Sequence, residues 1–265
     1  MRSSSDVMDV ATSVVRVDQG TEYARLLDAL VPRVHPNSEE LRRWSADYLR
    51  AHRHRFLEDL AIADEYTPAP FEILELGSIP PLMTAALRKT GRSIIGVDID
   101  PGRFSRCIDE LELDVRRCDL ETERLPFDDG SFDAVMMNEV FEHLRIDPIA
   151  TMTEVVRVLK PAGRLLLSTP NLASYRGYVN LVRRGHAWAI DADPYAEYTK
   201  LRTLGHMGHV REYTPREVGE FLDACGLRPT TLIYRGVART PKERLAVALR
   251  RSLLPFFSII AEKPR

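Results

Sequence analysis

The sequence lacks the features that identify several large classes of protein. It has only three cysteines, Cys107, Cys118 and Cys225, with no CxxC pair. That excludes a zinc knuckle and a disulfide framework, and it is typical of a reducing compartment. No apolar run approaches the ~20 residues of a membrane span, and residues 1–20 lack the apolar core of a signal peptide. We therefore expect a cytoplasmic protein with no membrane contact.

An excess of one charge is also missing. Lys and Arg number 37 and Asp and Glu 39, so the formal net charge is −2. Nucleic-acid binding usually needs a concentrated basic face, so nucleic acid is not an expected partner. The 265 residues, 44% hydrophobic and 29% charged, match an ordinary globular protein with a sizeable core. The composition carries no signal on oligomeric state.

Strand-like and helix-like segments alternate along most of the chain. Seven apolar segments have the length and composition of strands; they are residues 71–76, 92–98, 113–119, 133–138, 163–170, 228–235 and 255–262. Helical patterns lie between them, which predicts an α/β fold with a doubly wound, mostly parallel seven-stranded sheet. We expect an N-terminal helical segment over residues 1–66 and a main domain over residues 67–265, with a lid insertion at residues 171–212.

The loop after the first of these strands reads GSIPP, at residues 77–81. A dinucleotide site would need GxGxxG there, so NAD and FAD are disfavoured. Gly77 provides an unhindered backbone, and Pro80 or Pro81 suits the first turn of a helix whose free amides can hold a carboxylate. Asp98 ends the next strand, where a carboxylate can accept hydrogen bonds from both hydroxyls of a ribose.

Five motifs in order, ELG, GVDIDP, DLETERLPFDDGSFD, EVFEHL and LKPAGRLLLSTPN, span residues 75–171. They resemble the class I S-adenosylmethionine-dependent methyltransferases, which implies a Rossmann-like fold and S-adenosylmethionine as methyl donor. The resemblance assigns the methionine part to Glu75, Gly77 and Asn138, the ribose to Asp98, and the adenine to Ile99, Asp119 and Leu120. The family has GxGxG where this chain has GSIPP. A non-catalytic ligand-binding protein of the same fold is therefore an alternative.

The segment NEVFEHL holds Glu139, Glu142 and His143 at positions i, i+3 and i+4, which share one face of a helix. Two carboxylates and an imidazole could bind a divalent cation such as Mg²⁺. The pattern resembles a metal-binding motif of methyltransferases that modify small-RNA 3′ riboses and of ubiquinone-pathway O-methyltransferases. In the RNA group a later histidine completes the site, which here corresponds to His209, with His206 as the alternative. The other interpretation is that this segment only packs at a helix start.

The insertion at residues 171–212 is rich in tyrosine and histidine. Placed after the fifth predicted strand, it would cover the transferred methyl group, and its side chains suit a sugar or phenolic acceptor. We expect O-methylation of a small-molecule or sugar hydroxyl, in which His143 or His209 is the general base, or else both hold a metal. Methylation of an RNA ribose or of a nitrogen is the alternative activity.

Overall fold

The computed structural model describes residues 10–15, 17–18, 21–190, 193–204 and 208–265. The described residues form eight β-strands and ten α-helices. The strands are β1 (Ala11–Val14), β2 (Glu72–Leu76), β3 (Ser93–Asp98), β4 (Val115–Arg117), β5 (Phe132–Asn138), β6 (Leu159–Pro170), β7 (Arg228–Arg235) and β8 (Phe256–Glu262). The helices are α1 (Glu22–Leu30), α2 (Glu39–Ala51), α3 (Arg53–Tyr66), α4 (Leu82–Lys89), α5 (Ser105–Glu110), α6 (Pro148–Val158), α7 (Tyr175–Arg184), α8 (Pro194–Leu204), α9 (Pro215–Ala224) and α10 (Pro241–Leu249).

The strands form one sheet in the order β1-β7-β8-β6-β5-β2-β3-β4. β2 pairs with β3, β3 with β4 and β1 with β7 in parallel, whereas β8 runs antiparallel to β7. The predicted α/β fold with a mostly parallel sheet is confirmed, with eight strands rather than seven. The unpredicted strand, β1, has only four residues, ATSV, and is largely exposed. It therefore has no apolar run by which a sequence pattern could reveal it.

The chain divides into two compact units. One unit comprises Val15–Met136 and Arg157–Arg164, and we call it the β2–β4 unit. The other comprises Met137–Val156, Leu165–Arg265 and the described part of Met1–Val14, and we call it the β7–β8 unit. No helix in the described part of the chain is long and apolar enough to cross a bilayer.

In the β2–β4 unit, the loop after β2 lies directly on β3. The strands pair so that Leu76 is opposite Val97, and the amides of Gly77 and Ser78 both donate to the carbonyl of Val97. A Cβ atom added to Gly96 would lie 2.6 Å from Oγ of Ser78, a distance too short for any side chain. Glycine at position 96 therefore makes room for the GSIPP loop.

In the β7–β8 unit, the insertion after β6 begins and ends at the same place. Asn171 and Tyr213 form a parallel bridge, and the side-chain amide of Asn171 donates to the carbonyls of Ser252 and Leu254. Helix α7 starts at once, capped by the hydroxyl of Ser174. The two ends of the insertion, which includes α7 and α8, are therefore held by hydrogen bonds to the rest of the unit.

Candidate active site

The predicted cofactor residues of the β2–β4 unit lie at the carboxyl ends of neighbouring parallel strands. Gly77 follows β2 with φ 69°, in the left-handed region that glycine adopts at little cost. Asp98 ends β3, and its carbonyl accepts the amide of Cys118, 2.9 Å away and one residue before Asp119. The structure thus brings Gly77, Asp98 and Asp119 to one edge of the sheet. In sheets of this type, ligands bind at that edge.

Asp98 holds the GSIPP loop by its carboxylate. Oδ2 accepts the amide of Ile79 at 3.2 Å and Oδ1 accepts the amide of Asp100 at 3.0 Å. Burial raises the pKa of Asp98 above its usual value, although the two amides act in the opposite direction. Each carboxylate oxygen has a second lone pair, so Asp98 retains the capacity to accept bonds from a ribose.

The expectation that free amides after β2 would hold a carboxylate is wrong for the loop itself. The amides of residues 77 and 78 bind Val97, that of Ile79 binds Asp98, and that of Leu82 binds the carbonyl of Pro80. Helix α4 begins only at Leu82, so both prolines precede the helix and neither occupies its first turn. Pro80 and Pro81 have no amide proton, and the amides of residues 77, 78 and 79 are bonded to β3, so the loop satisfies its own donors.

The remaining cofactor candidates of this unit differ in burial. Glu75 is buried, with its Oε2 accepting the hydroxyl of Thr84; burial raises its pKa to about 7. Asp119 is half-buried and caps the turn that follows it, since its oxygens accept the amide of Glu121 and the hydroxyl of Thr122. Ile99 and Leu120 are half-buried, as apolar residues beside an adenine would be, and that assignment stays a prediction.

In the β7–β8 unit, three of the four predicted metal ligands come together. The ligand atoms of Glu142, His143 and His209 all lie within 4.8 Å of one another, and the two imidazole rings have centroids 4.8 Å apart. Two ligands of one ion at ~2.1 Å each can be at most about 4.2 Å apart. In a tetrahedral site such ligands lie about 3.4 Å apart, so the three side chains would have to move closer together to hold a cation.

Glu142 is the most buried member of the cluster. Its Oε2 accepts the hydroxyl of Thr169 at 2.8 Å, whereas its Oε1 is buried without a hydrogen-bond partner among the described residues. Burial, together with the charge of Glu139, raises the pKa of Glu142 to about 8. A buried oxygen without a donor is costly, and a cation is the kind of partner that would satisfy it.

The two histidines each have one nitrogen held by the protein. Nδ1 of His143 donates to the carbonyl of Gly208 at 2.9 Å, which leaves the lone pair on Nε2. Nδ1 of His209 is 3.4 Å from Oε1 of Glu212. Burial lowers the pKa of His143 to about 4. Burial is the largest single influence on His209 and lowers its pKa, but the bond to Glu212 and the charges of Glu142, Glu212 and Glu139 together outweigh it, so the pKa of His209 is raised.

Glu139, the fourth predicted ligand, is directed elsewhere. Its Oε1 accepts from Oγ of Ser168 at 3.2 Å and from Nη2 of the buried Arg235 at 3.4 Å. The prediction of one shared helix face is wrong: Glu139 has φ 55°, and only Phe141–His143 form a short 3₁₀ turn. A left-handed residue before a single turn breaks the i, i+3, i+4 spacing on which that prediction depended.

Asn138 ends β5 beside Glu139. Its Oδ1 accepts the hydroxyl of Ser168 at 3.1 Å, and its Nδ2 is buried with no acceptor in the part of the chain that the structure describes. This amide is therefore available as a donor to a bound ligand. The alternative ligand His206 lies outside the described residues.

Two acidic residues that the sequence analysis did not select hold His209 in place. Oε2 of Glu197, on α8, accepts the backbone amide of His209 at 2.9 Å. Glu212 binds the ring of His209 and also accepts the amides of Ala189 and Ile190. Both belong to the insertion, and neither stands in a recognisable motif. Only their proximity in sequence to His209 could have indicated them.

Comparison with known proteins places the chain in a family. A family model for a methyltransferase domain matches residues 74–167. A demethylmenaquinone methyltransferase of Tropheryma whipplei is 30% identical over 171 residues, which are 60% of this chain and 67% of that protein. A ubiquinone biosynthesis O-methyltransferase of Dinoroseobacter shibae is 31% identical over 182 residues, 63% of this chain and 67% of that protein. The chain belongs to the S-adenosylmethionine-dependent methyltransferases.

The fold of this methyltransferase is also that of solved structures. A SAM dependent methyltransferase from Archaeoglobus fulgidus matches with a TM-score of 0.55 and 18% identity, over 82% of this chain and 99% of that one. Other matches cover a smaller share of the relative: for two Mycobacterium methyltransferases, the match covers 41% of the length of each protein. The family supports S-adenosylmethionine as the methyl donor of this chain. The binding of this donor by Asp98 stays a prediction.

Proposed function

We propose that this protein transfers the methyl group of S-adenosylmethionine to a hydroxyl oxygen of a small-molecule, phenolic or sugar acceptor, with a divalent cation held by Glu142, His143 and His209. The observation that carries the proposal is the buried Oε1 of Glu142, which has no partner among the described residues and belongs to one cluster with two imidazoles. One carboxylate and two histidines form an open three-ligand set that leaves positions for an acceptor.

The chain's own groups suit this chemistry. A bound divalent cation lowers the pKa of a hydroxyl that it contacts. With its Nδ1 donating to Gly208 and its pKa lowered to about 4, His143 is neutral at pH 7, which is the state a ligand needs. Between the two histidines, His209 is the stronger base because its pKa is raised. Without a cation, His209 is therefore the candidate to accept the hydroxyl proton.

The methyl transfer itself requires little covalent help from the protein. The carbon–oxygen bond forms as the carbon–sulfur bond breaks, the electron pair stays on sulfur, and the hydroxyl proton passes to a base. Such a step depends on alignment and on exclusion of water. Asp98 and Asp119 would orient the nucleoside, and the amide of Asn138 would donate to the methionyl part. The Dinoroseobacter relative is named as an O-methyltransferase, which supports oxygen as the accepting atom.

An acceptor screen with and without chelator tests the proposal. Catechols, quinol-type phenols and sugars would be offered together with S-adenosylmethionine, and the demethylated product S-adenosylhomocysteine measured. We expect turnover with an acceptor that has two neighbouring hydroxyls, its loss in excess EDTA, and its return with Mg²⁺ or Mn²⁺. Binding of S-adenosylmethionine, measured by calorimetry, should survive EDTA.

Full turnover in EDTA would remove the cation from the proposal and leave His209 as the base. In that case His209→Ala should abolish turnover and His143→Ala should reduce it less. Failure to bind S-adenosylmethionine would instead indicate a fold that has lost its methyl donor, the alternative that the GSIPP loop raises.

A further inference from the structure

Two helices of the β7–β8 unit carry large apolar side chains on their exposed sides. On α7 these are Tyr178, Leu181 and Val182, and on α10 they are Leu245 and Leu249, each more than half exposed. Spacings of three and four residues place each set on one face of its helix. Single exposed apolar residues are ordinary, but a group of five on adjacent helices indicates an interaction surface.

The two helices lie side by side, so the two sets belong to one surface. The guanidinium of Arg176 on α7 donates to both carboxylate oxygens of Glu243 on α10, at 3.2 and 3.3 Å. Burial raises the pKa of Tyr234 on β7; the charge of the nearby Arg250 acts in the opposite direction, and the nearby Tyr178 raises it. We call this surface, defined by Tyr178, Leu181, Val182, Leu245 and Leu249, the α7–α10 face.

The chain segments that form the α7–α10 face are strongly basic. Residues 172–190 and 236–254 contain eight Arg or Lys residues and one acid, Glu243, so their net charge is +7, whereas the whole chain has a net charge of −2. The single acid is buried against Arg176. Lys242 is exposed and lies three residues before Leu245, on the same side of α10. Arg183 and Arg184 form the exposed last turn of α7.

We propose that the α7–α10 face docks on the surface of an anionic lipid bilayer. Aliphatic and aromatic side chains surrounded by Arg and Lys are the combination by which helices lie in a bilayer interface, where the apolar residues enter the acyl boundary and the cations meet lipid phosphates. A second copy of the chain fits less well, because an isologous contact would bring together two copies of these segments, each pair with a net charge of +7. Nucleic acid would match the charge but leave the leucines and Val182 without an apolar partner.

This docking does not depend on the methyl acceptor, and it differs from the expectation of no membrane contact drawn from the sequence. The two helices are separated by 56 residues, 185–240, and neither helix exceeds ten residues. Sequence scanning for one long apolar run therefore does not detect the face, which exists only once α7 and α10 are adjacent.

Co-sedimentation of the purified full chain with lipid vesicles tests the proposal. The probes are vesicles of phosphatidylcholine with phosphatidylglycerol and vesicles of phosphatidylcholine alone. We expect binding to the anionic vesicles that weakens with salt and is much weaker on the neutral ones. The double variant Leu245→Gln, Leu249→Gln should lower the affinity about tenfold or more, and Arg183→Gln or Lys242→Gln about fivefold each.

The matched control changes two equally exposed apolar residues of the same unit that lie outside the face. Ile146 and Ile149 are 59% and 62% exposed, and Ile146→Gln with Ile149→Gln should keep the wild-type affinity. Thermal unfolding of both double variants checks that they fold. Wild-type protein that stays in the supernatant with anionic vesicles overturns the proposal. An equal loss of vesicle affinity in the Ile146→Gln, Ile149→Gln control would also overturn it. So would a wild-type dimer, detected by light scattering, that the Leu245→Gln, Leu249→Gln variant dissociates.

Discussion

Glu142 contributes to the way the stability of the cation-free protein depends on pH. Burial and the nearby charge of Glu139 raise its pKa from 4.5 to about 8, so at pH 7 the folded protein holds a proton that the unfolded chain has released. The stability from this proton is fully present below pH 4.5 and is lost as the pH rises through about 8, because the folded state binds more protons over that interval.

We therefore expect Glu142→Gln, which stays neutral, to flatten this dependence. Without metal, the urea midpoint of the wild type should fall between about pH 6 and pH 9, and that of the variant should fall less. Glu220→Gln, which changes an exposed carboxylate paired with Arg216, should leave the wild-type slope unchanged. Identical slopes for wild type and Glu142→Gln would contradict the raised pKa.

Asp98 is the residue on which we expect donor binding to depend most. Asp98→Ala removes the ribose acceptor and also frees the amides of Ile79 and Asp100, so the affinity for S-adenosylmethionine should fall by at least ~1.5 kcal/mol. The neighbouring Asp100→Ala, whose carboxylate pairs with Arg103 at the surface, should bind nearly as the wild type does. Calorimetric titration measures both, and unchanged affinity in a folded Asp98→Ala would exclude Asp98 from the site.

At the scale of elements, the insertion positions the histidines of the cluster through close backbone contacts. The carbonyl of Gly208 holds His143, and a Cβ atom at residue 208 would lie 2.2 Å from the carbonyl oxygen of Glu197 on α8. The same Glu197 holds the amide of His209 by its side chain. Gly208 therefore connects α8 to both imidazoles without being a ligand itself.

Gly208→Ala should accordingly weaken metal binding by about tenfold or more while leaving the ligands themselves unchanged. Mn²⁺ binding followed by calorimetry measures the effect. Gly185→Ala is the matched control in the same insertion: its backbone is left-handed, with φ 72°, but a Cβ there meets nothing within 4 Å. It should cost about 1 kcal/mol of stability and keep the metal affinity. Equal metal affinities in all three proteins would show that the insertion does not position the cluster.

At the scale of the whole molecule, the proposed cation ligands and the acids predicted to bind the methyl donor belong to different compact units. Glu142, His143 and His209 are in the β7–β8 unit, and Asp98 and Asp119 are in the β2–β4 unit. In hydrogen exchange, we expect Mn²⁺ to increase protection mainly within the β7–β8 unit, including residues 189 and 190. S-adenosylmethionine should protect the amides of residues 79 and 100. If Mn²⁺ alone protected the amides of residues 79 and 100, the cation site would have to lie elsewhere.

The sequence predicts the strands of the sheet better than it predicts the geometry of the candidate site. The seven predicted strands all exist, and most of them are short buried apolar runs between turns, which is a local signal. β4 is the exception, because its residues VRR are half-buried or exposed. Asp98 could be placed at a strand end for the same reason. The direction of Glu139 could not be predicted, since its positive φ and its bond to Arg235, 96 residues later, are tertiary. Glu212 escaped notice because a glutamate that orients a histidine looks like any surface acid until the fold places it inside.

The two ends of the insertion meet, because Asn171 and Tyr213 are bridged. This has a consequence for how the enzyme could change its chemistry over evolution. A segment whose two ends already meet can be exchanged for a longer or shorter one at little cost in chain entropy. In this protein the exchanged segment would contain His209 together with Glu197 and Glu212, the two acids that hold it in place. Exchange of the segment between Asn171 and Tyr213 would thus remove or restore the proposed ligand His209 in one step, and it would leave untouched the strand ends at which we expect the methyl donor to bind.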